Sequence, residues 1–410
     1  MAATEPDFII LLDYQTGSGA DTLRHFLENH PLMKLTPAVQ HHRYLKLQYA
    51  ELTPGPANVG AVEKTRVGNV PDRSEVMLMS YRYHWVMWGS MVVLIGLMLF
   101  SITRGTVSLS LMQVLGALKI VDEPVSAMVS RIVTDLRVPR MLLSVLTGAG
   151  LAMVGALLQT TTRNDLADPF LFGLSSGASA GAVLVITRFG DRLGVLTLPV
   201  SAFVGGVCSA IAVMLLFHFK KQRGAEHLIL CGLAISFLFG ALTSYFIFSG
   251  DQRAASSVLF WSLGGLGLAT WNNLPFAVFS LVLLFAFVLL RWRSLDGVLA
   301  GEQTALSLGI NVSRLRIEIF LCCALATSLM VALTGVIGFV GLMVPHLCRH
   351  FAGVKHLLLL PLCGVWGAIL LCVGDIFSRT ILAPQELPIG IITAGIGGLF
   401  IIMLLARNSS

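Results

Sequence analysis

The hydrophobic positions of this chain follow two regimes that meet near residue 80. Up to residue 76, apolar residues come in short runs broken by polar and turn-forming positions. The run Phe8–Leu12 predicts a buried strand, followed by a Gly-Ser-Gly turn. DTLRHFLE (21–28) has amphipathic helical spacing, and after Pro37 the stretch Tyr44–Tyr49 predicts a second strand. Such a stretch makes at most a β-α-β fragment, too small for an ordinary independent core. From His84 onward the pattern becomes a series of long apolar segments. A membrane-crossing helix needs about 20 predominantly apolar residues. Ten spans are predicted, near 84–102, 141–159, 172–187, 194–217, 228–248, 274–290, 315–334, 336–348, 358–378 and 388–406. The eighth is short and interrupted by glycine (GVIGFVGLMVP), which membrane depth tolerates only where other protein surrounds it.

The expected fold is therefore an all-α polytopic membrane protein of about ten transmembrane helices, preceded by a short soluble α/β fragment. The expected boundary separates residues 1–78 from 79–410.

Composition supports this division. Charged residues make up 12% and hydrophobic residues 55%, with a mean hydropathy of +0.81; soluble domains usually carry about 25% charge. Residues 1–80 hold seven Lys/Arg against nine Asp/Glu, and residues 81–410 hold 21 against 13. The basic excess belongs to the apolar part, where it signals contact with membrane lipid rather than nucleic acid. With the first helix starting inside, twelve Lys/Arg fall inside and nine outside. The dense KKQR (220–223) and RWR (291–293) clusters both fall inside. Both termini of the helical part are then expected in the cytoplasm, and the outside arginines need their own explanation.

Candidate chemistry is sparse. The seven cysteines form no CxxC pair and read as small buried hydrophobes. No nucleophile–base pair, catalytic triad or metal cluster appears, so neither a catalytic residue nor a metal site is expected. Lone His346, beside Pro345, reads as a packed side chain. No GxxxxGK[ST] is present, so the chain is not expected to hydrolyse ATP. An ion-coupled secondary transporter would need paired carboxylates or an unwound site at mid-membrane, and the acidic residues lie near segment ends. An intramembrane enzyme would need converging His/Asp/Glu or Ser/His groups. Gly173, Gly177 and Gly181 form a small-xxx-small face, which suits close helix packing or, in part, a translocation path.

Several blocks resemble one family. RVPRMLLSVLTGAGLAMVGALLQTTTRNDLADPFLFGLSSGAS (137–179), LILCGLAIS (228–236), VLFWSLGG (258–265), GEQTALSLGINV (301–312) and residues 335–398 are similar, in order, to the permease subunits of ABC importers for iron chelates, haem or cobalamin (type II importers). The resemblance covers essentially all of 85–406. It implies a permease of the bacterial inner membrane that works as a homodimer or beside a similar permease. Two ABC ATPase subunits would act inside and a periplasmic substrate-binding protein outside. It implies no cofactor on this chain, ATP-Mg being held by the ATPase subunits. Arg137, Arg140 and Arg379 would dock the carrier's carboxylates, the alternative being ion pairing with Asp135 and Asp375. Gly301, Glu302, Ala305, Leu308 and Gly309 would form the coupling helix that engages the ATPase, supported by Pro345, His346 and Arg349. Gly173 and Gly177 would border the path, with the inner gate near Ala225 and Glu226. Asp165 stands where the family usually has proline, and GGLF (397–400) where it has Gly-Ala-Pro-Phe. An iron-siderophore is the first expectation for cargo, then haem, then cobalamin.

Residues 7–64 resemble, separately, the C-terminal end of a periplasmic iron-chelate-binding protein. They read as a remnant of gene fusion or frame shift, with Met77 or Met79 as the native start.

Overall fold

The computed structural model describes residues 9–13, 24–25, 27–29, 39, 44–48, 73–105, 107–189, 197–219 and 224–408. The expected Gly-Ser-Gly turn and the KKQR cluster (220–223) lie outside them. Two compact units divide the chain: residues 83–295 with 313–410, and residues 1–82 with 296–312.

In the smaller unit, β1 (Ile9–Asp13) and β2 (Tyr44–Gln48) pair in parallel, Ile9 opposite Tyr44 and Asp13 opposite Gln48. Residues 24–25 and 27–29 between them are helical. This is the connectivity of a β-α-β unit, since parallel strands need a crossover.

Each of the ten apolar segments predicted from sequence holds a helix. These are α1 (Arg73–Thr103), α4 (Val138–Thr162), α5 (Leu174–Arg188), α6 (Thr197–His218), α7 (Ala225–Ser249), α9 (Leu274–Leu299), α11 (Val312–Thr334), α12 (Val340–Ala352), α13 (His356–Thr380) and α14 (Ile389–Asn408). Short helices α2 (Leu111–Ala117), α3 (Ala127–Arg131), α8 (Ala255–Ser262) and α10 (Glu302–Ser307) lie in the connections. Seven of the described helical stretches are long and apolar enough to cross a membrane, whereas α5 and α12 have only 15 and 13 residues. The boundary expected at residue 78 falls inside α1, which is one continuous helix from Arg73.

Helix α4 is the axis of the larger unit. All but a few of its residues are buried, and it packs on α12 and α13. Small residues make this possible: a Cβ on Gly148 would strike the Gly367 backbone of α13, and one on Gly155 the Gly341 backbone of α12. In lipid, where apolar burial does not drive helices together, such close approach supplies the dispersion contact that does. Trp366 Nε1 on α13 donates to Ser90 Oγ on α1 at 2.9 Å, tying the first helix to the same core.

The eighth predicted segment is broken, as its glycines suggest. Helix α11 stops at Thr334, Gly335 takes φ 66°, and Phe339 at φ 68° opens α12. The freed backbone groups are paired across elements. Gly265 N–H donates to Thr334 O at 2.8 Å, Ile389 N–H to Gly264 O at 3.1 Å, and Gly390 N–H to Leu263 O at 3.0 Å. Residues Val340–Pro345 are all buried. Irregular backbone away from water needs this satisfaction.

Candidate functional site

The arginines singled out from sequence gather at the end of the bundle where α4 begins. A wider π-helical turn, residues 132–137, feeds α4, and Pro139 occupies its first turn, where a missing N–H costs nothing. This places Arg137 and Arg140 at the helix start, while Asp375 and Arg379 share a face of α13 at i, i+4. Arg140 Nε donates to Asp375 Oδ1 at 2.9 Å, and its Nη1 donates to both Glu386 oxygens at 3.0 and 2.8 Å. Arg379 Nη2 lies 2.8 Å from Asp375 Oδ2, an ion pair rather than an aligned hydrogen bond. Its remaining donors reach Arg104 O at 2.7 Å and Ser101 Oγ at 2.8 Å. Arg137 donates to Ile102 O at 2.7 Å and to Val107 O.

Arg137 and Arg379, expected with Arg140 to dock a carrier, are both buried and hold the chain that leaves α1. Arg140 alone of the three has a substantially exposed ionic partner, Glu386. Asp375 serves two arginines; Asp135, the other acid considered from sequence, accepts instead from Thr134 Oγ1 at 2.8 Å. Sequence reasoning placed no elements between 103 and 137. The capping box in Ser110-Leu-Met-Gln113, with Gln113 N–H on Ser110 Oγ and Ser110 N–H on Gln113 Oε1, was a readable signal for α2.

At the opposite end of α4, Arg163 ends the helix at φ 51°. Asn164 Oδ1 then accepts from Leu166 N–H and Asp168 Oδ1 from Phe170 N–H, both at 2.9 Å. Burial of Asp168 raises its pKa to about 6, opposed in part by that backbone hydrogen bond. Asp165, which replaces the proline usual in the resembling family, pairs with Arg349 at 3.1 Å. His346 packs edge-on against Phe400 with ring centroids 5.5 Å apart, and Pro345 is buried. Gln159 on α4 donates to the carbonyls of Gly341 and Leu342, both at 3.2 Å. These contacts join the last turn of α4 to α12.

Helix α10, in the smaller unit, is a single capped turn. Gly301 at φ 124° precedes it, Ala305 is fully buried, and Ile310 N–H returns to Ala305 O at 2.9 Å around Gly309 at φ 76°. Glu302, Gln303, Leu306 and Ser307 face outward. Leu306 is 61% exposed, and sequence reasoning passed over it; the i, i+4 spacing from Glu302 placed it on the same face.

Gly173 and Gly177 do not border open space within the chain. A Cβ on Gly177 would strike Ser209 and the Gly205 backbone of α6, and one on Gly173 would lie 3.0 Å from Gly232 O of α7. They serve helix packing. Ala225 and Glu226 open α7, with Glu226 exposed in its first turn, where the helix dipole favours an anion. Among the described residues no three His, Cys, Asp or Glu side chains gather as a metal-holding group.

Residues 93–407 match the FecCD transport family. The chain belongs to that family. Curated members similar to this FecCD chain include the hemin transport system permease HmuU of Yersinia pestis (35% identical; 67% of this chain, 83% of that one). The Fe(3+)-citrate import permease YfmE of Bacillus subtilis is 39% identical over 67% of this chain and 81% of its own length. The vitamin B12 import permease BtuC of Vibrio cholerae is 33% identical over 69% and 85%. Among solved structures, an inward-facing metal-chelate type ABC transporter aligns with a TM-score of 0.69 and 30% identity, covering 78% of this chain and 99% of that one. This FecCD chain is thus a multi-span membrane permease subunit of an ABC importer for iron chelates, haem or B12.

Proposed function

We propose that this permease carries an iron chelate, a siderophore complex before haem, inward across the bacterial inner membrane by alternating access. The single observation that supports the cargo most is the alignment with nearly the whole of one chain of a metal-chelate type transporter. A periplasmic binding protein delivers the chelate at the arginine end, where Arg140, its side chain 15% exposed, is the one of the three arginines paired to an exposed acid. Two ATPase subunits engage α10 through its outward face, and a second permease, identical or similar, completes the path. Both termini of the helical part face the cytoplasm. A short helix closed at its C-terminus and anchored by buried Ala305 suits coupling, because nucleotide-driven closure must move a whole element. ATP-Mg belongs to the ATPase subunits.

The test is uptake of labelled ferric siderophore, haem and cobalamin into proteoliposomes holding the permease, its ATPase and each candidate carrier. Accumulation of ferric siderophore with one carrier is the expected outcome. Cobalamin accumulation alone would replace this reading with the second one, which the similarity to the V. cholerae protein favours.

A further inference from the structure

The two carboxylates around Arg140 differ in a way that suits exchange. Asp375 has a side chain 1% exposed, sits on helix α13, and is shared with Arg379. Glu386 is 45% exposed and lies in the connection between α13 and α14. The guanidinium is split between them, Nε toward Asp375 and Nη1 toward Glu386. A second carboxylate could therefore replace Glu386 while the buried pair stays intact. Arg137 and Arg379 offer no such exchange, because Arg137 ends on backbone carbonyls and Arg379 on a backbone carbonyl, Ser101 and the buried Asp375. Within this cluster Arg137, Arg140 and Arg379 stand against Asp375 and Glu386 alone, three charges to two, a balance that favours an acidic visitor. The connection is pinned just past Glu386 by Leu387 N–H on Ser378 O at 2.9 Å. Glu386 can therefore swing away without releasing α14.

We infer that Glu386 is a built-in competitor that holds Arg140 in the resting permease and is displaced by a carboxylate of the docking carrier. This rests on the carrier-docking reading above. An ion pair open to solvent on its acidic side is weak enough to be exchanged and strong enough to be felt, so it sets a threshold that an uncharged or basic surface would not cross.

The experiment uses the full chain with its ATPase in nanodiscs and the purified iron-chelate-binding protein of the same cell, with Kd measured across a salt series. Glu386→Gln is expected to tighten binding by roughly two- to fivefold, the range set by an exposed pair. That gain should shrink as salt screens the charges. Arg140→Gln is expected to weaken binding. Arg140→Lys keeps a cation beside Asp375 and, with its melting midpoint, guards against simple misfolding; it is expected to bind between wild type and Arg140→Gln. If Glu386→Gln binds no tighter while Arg140→Gln weakens, the competitor is overturned and docking at this end stands. If Arg140→Gln and Arg140→Lys both bind like wild type, docking here is itself wrong.

Discussion

Single residues govern charge at both ends of α4. Asp375 is 1% exposed and faces two arginines. Asp375→Asn leaves two buried cations short of their anion, a loss expected to cost about 3 kcal/mol or more. Thermal melting of the purified chain in detergent would measure it; a wild-type midpoint would show the pair to be inert. Asp168 makes the converse prediction. Its folded pKa of about 6 lies above the ordinary carboxylate value, so the folded state holds the proton more tightly than the unfolded one. Its contribution is fully present below about pH 4 and is lost as pH rises through about 6. Wild type should therefore lose about 1–3 kcal/mol between those pH values relative to Asp168→Asn, as paired denaturation curves would show. The Asp375 pairing was open in the sequence only as the alternative to docking, and the shift at Asp168 was not legible there. Asp375 and Asp168 stand in ordinary local contexts, and only the packing of distant segments strips their water.

Elements were far more legible than side-chain partners. A 20-residue apolar run has few alternatives in lipid, so the ten segments could be placed from hydropathy alone. Gly335 and the glycines after it announced the break before α12, because a helix at depth tolerates such residues only inside protein. The connection from 104 to 137 was lost, since α2 and α3 have 7 and 5 residues and no sustained period. The face presented by α5 was ambiguous in the same way: glycines at a spacing of four suit a path and a packed crossing equally, and contact with α6 decides for packing. Two element-scale predictions follow from close approach and exposure. Gly148→Val drives a branched side chain into the Gly367 backbone and should sharply reduce the yield of folded protein, read by size-exclusion chromatography. Leu306→Glu, at an exposed position on α10, should leave melting unchanged while reducing ATPase co-purification severalfold. Undiminished co-purification would move the coupling contact elsewhere.

At the scale of the whole molecule, transport belongs to the part that matches the family, residues 93–407. A chain beginning at Met79 is therefore expected to transport as well as the full one in the proteoliposome assay, although the cut falls within α1. A large loss would give the first 78 residues a role. The broken helix also bears on how the molecule is made. With 13 residues at 1.5 Å each, α12 spans about 20 Å, short of a hydrocarbon core of about 30 Å. It is therefore held in place by its neighbours rather than by its own length: by α4, which precedes it in synthesis, and by α13, which follows it.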